Sequence, residues 1–230
     1  MSFSRQWLAS EDIPFFKEEV GLVRTAQVDP ARYCEAYFST EHVAYVDGYD
    51  FEKRILKYRD AVLNIRQHLF EPVLDIGCGP GYIVEGLRRS GAQDVCGVDI
   101  SRTAISELSL QATRPFLYEA SLTSLPFETA RFESGYSFHV LEHLVPAELD
   151  LALAEISRVV KTQLYLIIPT WESLTNWELF HQIVCDPTHR IIVTREWWIE
   201  RFSQLGWVHN NQLAKTFDRI NRGWVFFFER

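Results

Sequence analysis

No stretch of the 230-residue chain approaches the roughly 20 consecutive apolar residues that a membrane span needs, and the opening MSFSRQWLASED lacks a basic region followed by an apolar run. The reading is of a soluble, cytoplasmic protein with no membrane partner. Basic residues are in the minority, with 23 Lys plus Arg against 31 Asp plus Glu and a formal charge of −8, so there is no field to hold a polyanion. Nucleic acid is not an expected partner. Cysteine is scarce: Cys34, Cys78, Cys96 and Cys185 contain no CxxC pair, which argues against a disulfide framework or a zinc site and for reduced, mostly buried thiols. Fixed-period repeats, low-complexity tracts and Gly/Ser/Pro-rich linkers are also missing, and 47% hydrophobic residues supply a core, so one compact domain is expected.

What is present is an alternation of two periodicities. Phe51, Ile55, Tyr58, Val62, Ile65 and Leu69 recur at steps of three and four, Asp50 is placed as N-cap and Glu71-Pro72 stops the run, which predicts a helix. Val73 to Ile76 predicts a buried strand, followed by the turn Gly77-Cys78-Gly79-Pro80-Gly81 and a helix from Tyr82 to Arg89. A strand at Val95 to Val98 ends at Asp99, Ser101 caps a helix, and strands follow at Phe116 to Tyr118 and Ser134 to Phe138. Pro146 opens a helix leading to the strand Leu164 to Ile168, and Thr194 caps another that Gly206 ends. The runs Trp207 to Leu213 and Gly223 to Phe228 are expected to form an antiparallel hairpin with no helix between them. Strands alternating with crossover helices require an α/β fold, a mostly parallel sheet covered on both faces.

The glycine turn is the first chemical signal. Alternate glycines let the backbone bend sharply and approach a ligand with no Cβ in the way. The dinucleotide fingerprint needs a small residue where Tyr82 stands, and the phosphate loop needs a Gly-Lys-Ser/Thr that is absent. Both phosphate readings therefore rank below a loop for a nucleoside without a phosphate linker. Asp99, at a strand's carboxyl edge beside that loop, is the group that reads a vicinal diol.

Taken together, Val73 to Gly81 (VLDIGCGPG), Gly97-Val98-Asp99-Ile100-Ser101, Leu125-Pro126-Phe127 and His139-Val140-Leu141-Glu142-His143-Leu144 resemble, in wording and order, the class I S-adenosylmethionine-dependent methyltransferases of the small-molecule branch. The resemblance spans about Asp50 to Phe228. It implies a Rossmann-like seven-stranded sheet with an antiparallel C-terminal strand, helices on both faces and S-adenosylmethionine as cofactor. It divides the chain into an N-terminal lid or helical segment at 1–49 and a methyltransferase domain at 50–230, with a substrate-region insertion at about 171–193. By the same resemblance, Asp75 orders the loop and faces the methionine amino group, while Gly77, Cys78, Gly79 and Gly81 pass along the methionine. Asp99 takes the ribose hydroxyls, and Ile100 and Leu122 flank the adenine. Ser121 stands where relatives often carry an Asp facing the adenine amino group, and its uncharged hydroxyl accepts that bond more weakly. Val160-Lys161-Thr162-Gln163 replaces a common Gly-Gly turn.

His139 lies at a strand's carboxyl end, within reach of the cofactor, and Glu142 and His143 share its side if a helical turn begins there. In one reading Glu142 and His143 bond the loop backbone and only His139 sees the pocket. In the other, His143 or His139 is the general base that takes the acceptor's proton. Some ubiquinone-pathway and small-RNA methyltransferases gather a divalent cation with Glu-x-x-Glu-His and a distant His, a role His189 could fill. His139 replaces the first Glu, however, and the cluster is expected to hold no metal, with His189 and Arg190 positioning their loop. Aromatic residues crowd the two segments where the family builds its lid: Tyr33, Tyr37, Phe38, His42, Tyr45 and Tyr49 before the first helix, and Trp171, Trp177 and Phe180 after the fifth strand. Tyr49, Trp171 and His189 are the substrate-side candidates. The expected function is methyl transfer to a hydroxyl of a small polar or aromatic metabolite. Its rivals are a nucleoside-binding regulatory protein without catalysis and an RNA 2′-hydroxyl methyltransferase, for which Arg190, Arg195 and Arg201 are the available basic residues.

Overall fold

The computed structural model describes residues 16–17, 21–34, 37–38, 51–174, 183–184, 186–218 and 223–230. The chain opens with two short strands, β1 (Phe16–Lys17) and β2 (Gly21–Val23), and continues through α1 (Phe51–Lys57), α2 (Arg59–His68), β3 (Val73–Ile76), α3 (Tyr82–Arg89), β4 (Val95–Asp99), β5 (Leu117–Glu119), β6 (Phe132–Phe138) and α4 (Pro146–Val159). It ends with β7 (Val160–Ile167), β8 (Ile191–Val193), α5 (Arg195–Ser203), β9 (Val208–His209), α6 (Asn211–Phe217) and β10 (Val225–Glu229). Seven strands form the main sheet in the order β5-β4-β3-β6-β7-β10-β9, with β10 antiparallel to both neighbours and the other pairs parallel. β1, β2 and β8 make a separate antiparallel sheet.

A central parallel strand must be apolar on both faces because helices cover both. All four residues of β3 are buried accordingly, the carboxyl-bearing Asp75 among them. On one face Leu149, Leu153 and Ile156 of α4 and Trp198 and Phe202 of α5 pack with Phe226 and Phe228. On the other, Val62 and Ile65 of α2, Leu87 of α3 and Ala214 and Phe217 of α6 pack with Tyr165 and Phe227. The two cores hold the sheet rigid and leave its carboxyl edge to carry function.

Three sequence expectations need correction. The run from 50 to 69 is two helices that meet at Tyr58, not one, and Asp50 lies outside the described residues. The segment behind Ser101 is a single π turn, Ala104–Leu108, although the Ser101 hydroxyl does accept the Ala104 amide at 3.1 Å. The last two strands pair antiparallel as expected, yet α6 lies between them. Asn210 caps it by accepting the Leu213 amide at 3.0 Å, so a residue read as strand is a helix start. Val160 opens β7 directly after α4, which is how the chain manages without the Gly-Gly turn.

His209 ties β9 to this arrangement. Burial and the Arg195 guanidinium, whose Nη2 lies 3.0 Å from His209 Nε2, push its pKa down to about 4. An unfolded histidine takes its proton near pH 6.5, so between about 6.5 and 4 the unfolded chain binds more protons and stability falls as pH falls. His209→Gln keeps an acceptor for Arg195 and should flatten the decline of Tm over that window in calorimetry. Equal slopes in the two proteins would contradict this.

Candidate active site

The carboxyl ends of β3, β4 and β6 meet where the strand order reverses, the place at which open α/β sheets hold ligands. The amides of Gly77 and Cys78 donate to the Val98 carbonyl at 2.8 and 3.0 Å, folding the loop back against β4. Gly77 has φ +76°, and a Cβ there would sit 2.3 Å from Val140 Cγ2, so only glycine lets the loop meet the His139 segment. Asp99 Oδ2 accepts the Gly79 amide and Oδ1 the Ser101 amide, both at 2.8 Å. Burial raises the Asp99 pKa, and the amides of Ser101, Gly79 and Ile100 oppose that rise. The carboxylate that holds the loop is therefore Asp99, which combines this task with its place at the β4 edge.

Asp75 lies deeper. Burial pushes its pKa up to about 8 against the favourable Tyr136 hydroxyl, so a cationic amino group arriving nearby would stabilise its ionised form. Burial also drives the Cys78 thiol well up, which makes it an inert part of the wall. Ile100 is exposed and Leu122 buried, while Ser121 Oγ is shared with Thr123 Oγ1 at 2.8 Å. Ser101 Oγ donates to the Tyr33 carbonyl at 2.5 Å, bringing an N-terminal segment to the rim of the same corner.

His139 takes φ +57° and the short helical turn starts only at Leu141, yet Glu142 still lies beside both His139 and His143. His139 is half-exposed and its ring stands edge-on to Trp224, with centroids 5.5 Å apart. Its Nδ1 lies 3.2 Å from Oε1 of the fully buried Glu142. Burial alone would raise the Glu142 pKa, but the His139 hydrogen bond and the imidazoles of His139, His143 and His189 hold it below the usual carboxylate value. Burial and the neighbouring His189 push His143 down to about 4, so it is neutral at physiological pH.

Beyond Glu142 the ligand atoms of Glu142, His143 and His189 lie within 4.8 Å of one another. Glu142 Oε2 and His143 Nδ1 are buried without a hydrogen-bond partner. His189 Nδ1 lies 2.6 Å from the Ile183 carbonyl, which can only accept, so Nδ1 carries the proton and Nε2 is left for the cluster. Three acceptor atoms facing one another fit a divalent cation, and one carboxylate with two imidazoles suits a borderline cation better than Mg²⁺. Of the lid candidates, Trp171 packs with Trp224, Ile192 and Val184 behind His139, whereas Tyr49, Trp177 and Phe180 lie outside the described residues. Sequence reasoning missed Trp224 and Asp186 as site residues. Trp224 reads as part of a strand, and Asp186 is brought to 3.9 Å from His189 Nε2 only by the loop's fold.

Residues 74–168 match the family described as Methyltransferase domain. The chain is 32% identical over 102 residues to a "Ubiquinone biosynthesis O-methyltransferase" of Bartonella quintana (strain Toulouse), covering 43% of this chain and 40% of that one. It is 28% identical over 153 residues to the protein of the same description from Rhodopseudomonas palustris (strain BisB18), covering 63% and 58%. The chain thus spans about half the length of these curated relatives. Among solved structures it resembles a SAM-dependent methyltransferase from Archaeoglobus fulgidus, with TM-score 0.56, 19% identity and coverage of 85% and 97%. A second, from Methanosarcina mazei, gives TM-score 0.53 at 20% identity over 72% and 94%. Residues 74–168 thus carry a methyltransferase domain, and the fold is that of the solved SAM-dependent methyltransferases.

Asp99→Ala is the direct test of this corner. Each hydrogen bond to a charged acceptor is worth about 1.5–3 kcal/mol, so S-adenosylhomocysteine affinity should fall at least tenfold in calorimetry. An unchanged affinity would mean that the ribose is read elsewhere.

Proposed function

We propose that this protein transfers the methyl group of S-adenosylmethionine to a hydroxyl of a small polar or aromatic metabolite, with His139 as general base. One observation carries the reading: the half-exposed imidazole of His139 at the carboxyl edge of β6, with Nδ1 on the buried Glu142 carboxylate. A carboxylate that accepts from Nδ1–H fixes the tautomer and leaves Nε2 as a lone pair facing out, as an acid–base histidine requires. His143 serves less well, because its pKa of about 4 makes it a weak base. The O-methyltransferase descriptions of the curated relatives support the choice of oxygen as acceptor atom.

The chemistry is an in-line displacement: the acceptor oxygen forms a bond to the methyl carbon as the carbon–sulfur bond breaks, and the acceptor proton passes to His139 Nε2. The protein's contribution is to align donor and acceptor and to keep water out. Glu142 would stabilise the imidazolium that forms. The uncompensated acceptors of Glu142 and His143, with His189 beside them, favour a second reading, in which these residues hold a divalent cation. Such an ion would anchor the acceptor and make its hydroxyl more acidic. RNA as acceptor is disfavoured, because the arginines available for a basic patch are occupied. Arg190 bonds the Pro187 carbonyl, Arg195 those of Gly223 and Val225, and Arg201 the carboxylate of Asp150.

Methyl-labelled S-adenosylmethionine supplied with a panel of phenols, catechols and hydroxy acids should give labelled ether. His139→Gln should lower that turnover by roughly 10²–10⁴ with S-adenosylhomocysteine affinity nearly unchanged. Full turnover in this variant would remove His139 from the chemistry.

A further inference from the structure

The loop that delivers His189 is bent around a cation from the other end of the chain. Arg24 follows β2, and its guanidinium donates to three backbone carbonyls of that loop. Nη1 reaches the carbonyls of Asp186 at 2.8 Å and His189 at 2.7 Å, and Nη2 reaches that of Val184 at 2.7 Å. The Arg24 amide donates to the Arg190 carbonyl at 2.7 Å, continuing the ladder between β2 and β8. The docking leaves no spare room: Gly21 has φ +107°, and a Cβ there would lie 1.9 Å from the Ile192 carbonyl oxygen.

Such convergence has an electrostatic reason. Carbonyl oxygens turned toward one point repel one another, and a planar guanidinium with several N–H groups spread over a fork satisfies them together, which a single ammonium point charge does less well. On its other side the loop is anchored to the site, because the Arg190 amide donates to the Glu142 carbonyl at 2.7 Å. Between these two anchors the His189 ring stands with Nδ1 on Ile183 and 4.7 Å from the His143 ring.

We infer that Arg24 is a positioning residue of the acceptor site, gathering the carbonyls of Val184, Asp186 and His189 so that His189 is held with Nδ1 on the Ile183 carbonyl and Nε2 toward Glu142 and His143. The N-terminal strand is then part of the site and not only a cover for it. The inference rests on the proposed function for the word acceptor, but its geometric claim is independent of any substrate. Arg24 touches no reacting atom and acts through His189.

Proton and ¹⁵N NMR of the full chain can read it. Wild type should show an imidazole N–H resonance, absent in His189→Gln, with the ¹⁵N pattern of a ring protonated at Nδ1. In Arg24→Lys and Arg24→Ala that proton should exchange with water at least tenfold faster, as expected when a local anchor is released. Added guanidinium should restore it in the alanine variant. Gly21→Ala, which leaves the guanidinium intact but unseats the strand, should give the same loss. S-adenosylhomocysteine affinity should change by less than about twofold in all of these, since the Asp99 corner lies on β4 and is not bound by this loop. A wild-type His189 signal retained in Arg24→Ala would overturn the assignment. Loss of the signal together with loss of cofactor affinity in Arg24→Lys would overturn it too, by showing a global role. Failure of the methyltransferase assay alone would touch the proposed function and leave this inference standing.

Discussion

A buried carboxylate needs partners, and Glu142 is the group on which the functional edge of this protein depends. Its side chain is fully enclosed, yet its pKa is held below the usual value. Removing such a charge from water costs several kcal/mol, which only nearby hydrogen-bond donors and positive charge offset. One oxygen takes His139, the other lies near His143 and His189 without a hydrogen-bond partner, and the backbone carbonyl takes the Arg190 amide. These partners lie on two segments, the 139–143 turn and the loop before β8, so Glu142 ties the end of β6 to that loop, and Arg24 carries the tie on to the N-terminal strand.

Asp99 plays the matching part on the cofactor side. It is partly buried, and it meets its own desolvation by taking the amides of Gly79 and Ser101, which hold the glycine loop. The Ser101 hydroxyl then reaches the Tyr33 carbonyl, and the Tyr33 ring stands edge-on to His143 with centroids 6.1 Å apart. Burial, then the charges of Asp99 and Asp186, raise the Tyr33 hydroxyl's pKa, as expected for a phenol placed between the two carboxylate corners. The rigid sheet supplies the positions, and the two carboxylates supply the order around them.

What was legible in the sequence was what local physics determines. β3, the glycine loop, α3 and Asp99 follow from apolar runs, turn residues and a helix start within some 30 residues, so they could be placed with the residues that matter. α6 was hidden because Val208, Trp207 and Leu213 read as one strand, and Asn210 signals a cap only once the chain is known to turn there. The histidine cluster was visible as residue types but not as geometry. His139 reaches Glu142 from a left-handed backbone, rare for a residue with a Cβ, which a helical spacing argument does not anticipate. Arg24 carried no local signal at all, since its partners lie some 160 residues away and are backbone carbonyls, which any residue could have supplied.

The central claim is that one edge of the sheet holds donor and acceptor face to face, with the ribose on Asp99 and the reacting oxygen beside His139. A crystal structure of the protein with S-adenosylhomocysteine tests it most directly. The expected result has both ribose hydroxyls on the Asp99 carboxylate and the sulfur open toward His139 Nε2 across an otherwise enclosed cavity. A nucleoside bound away from Asp99, or a sulfur screened from His139 by protein, would contradict it.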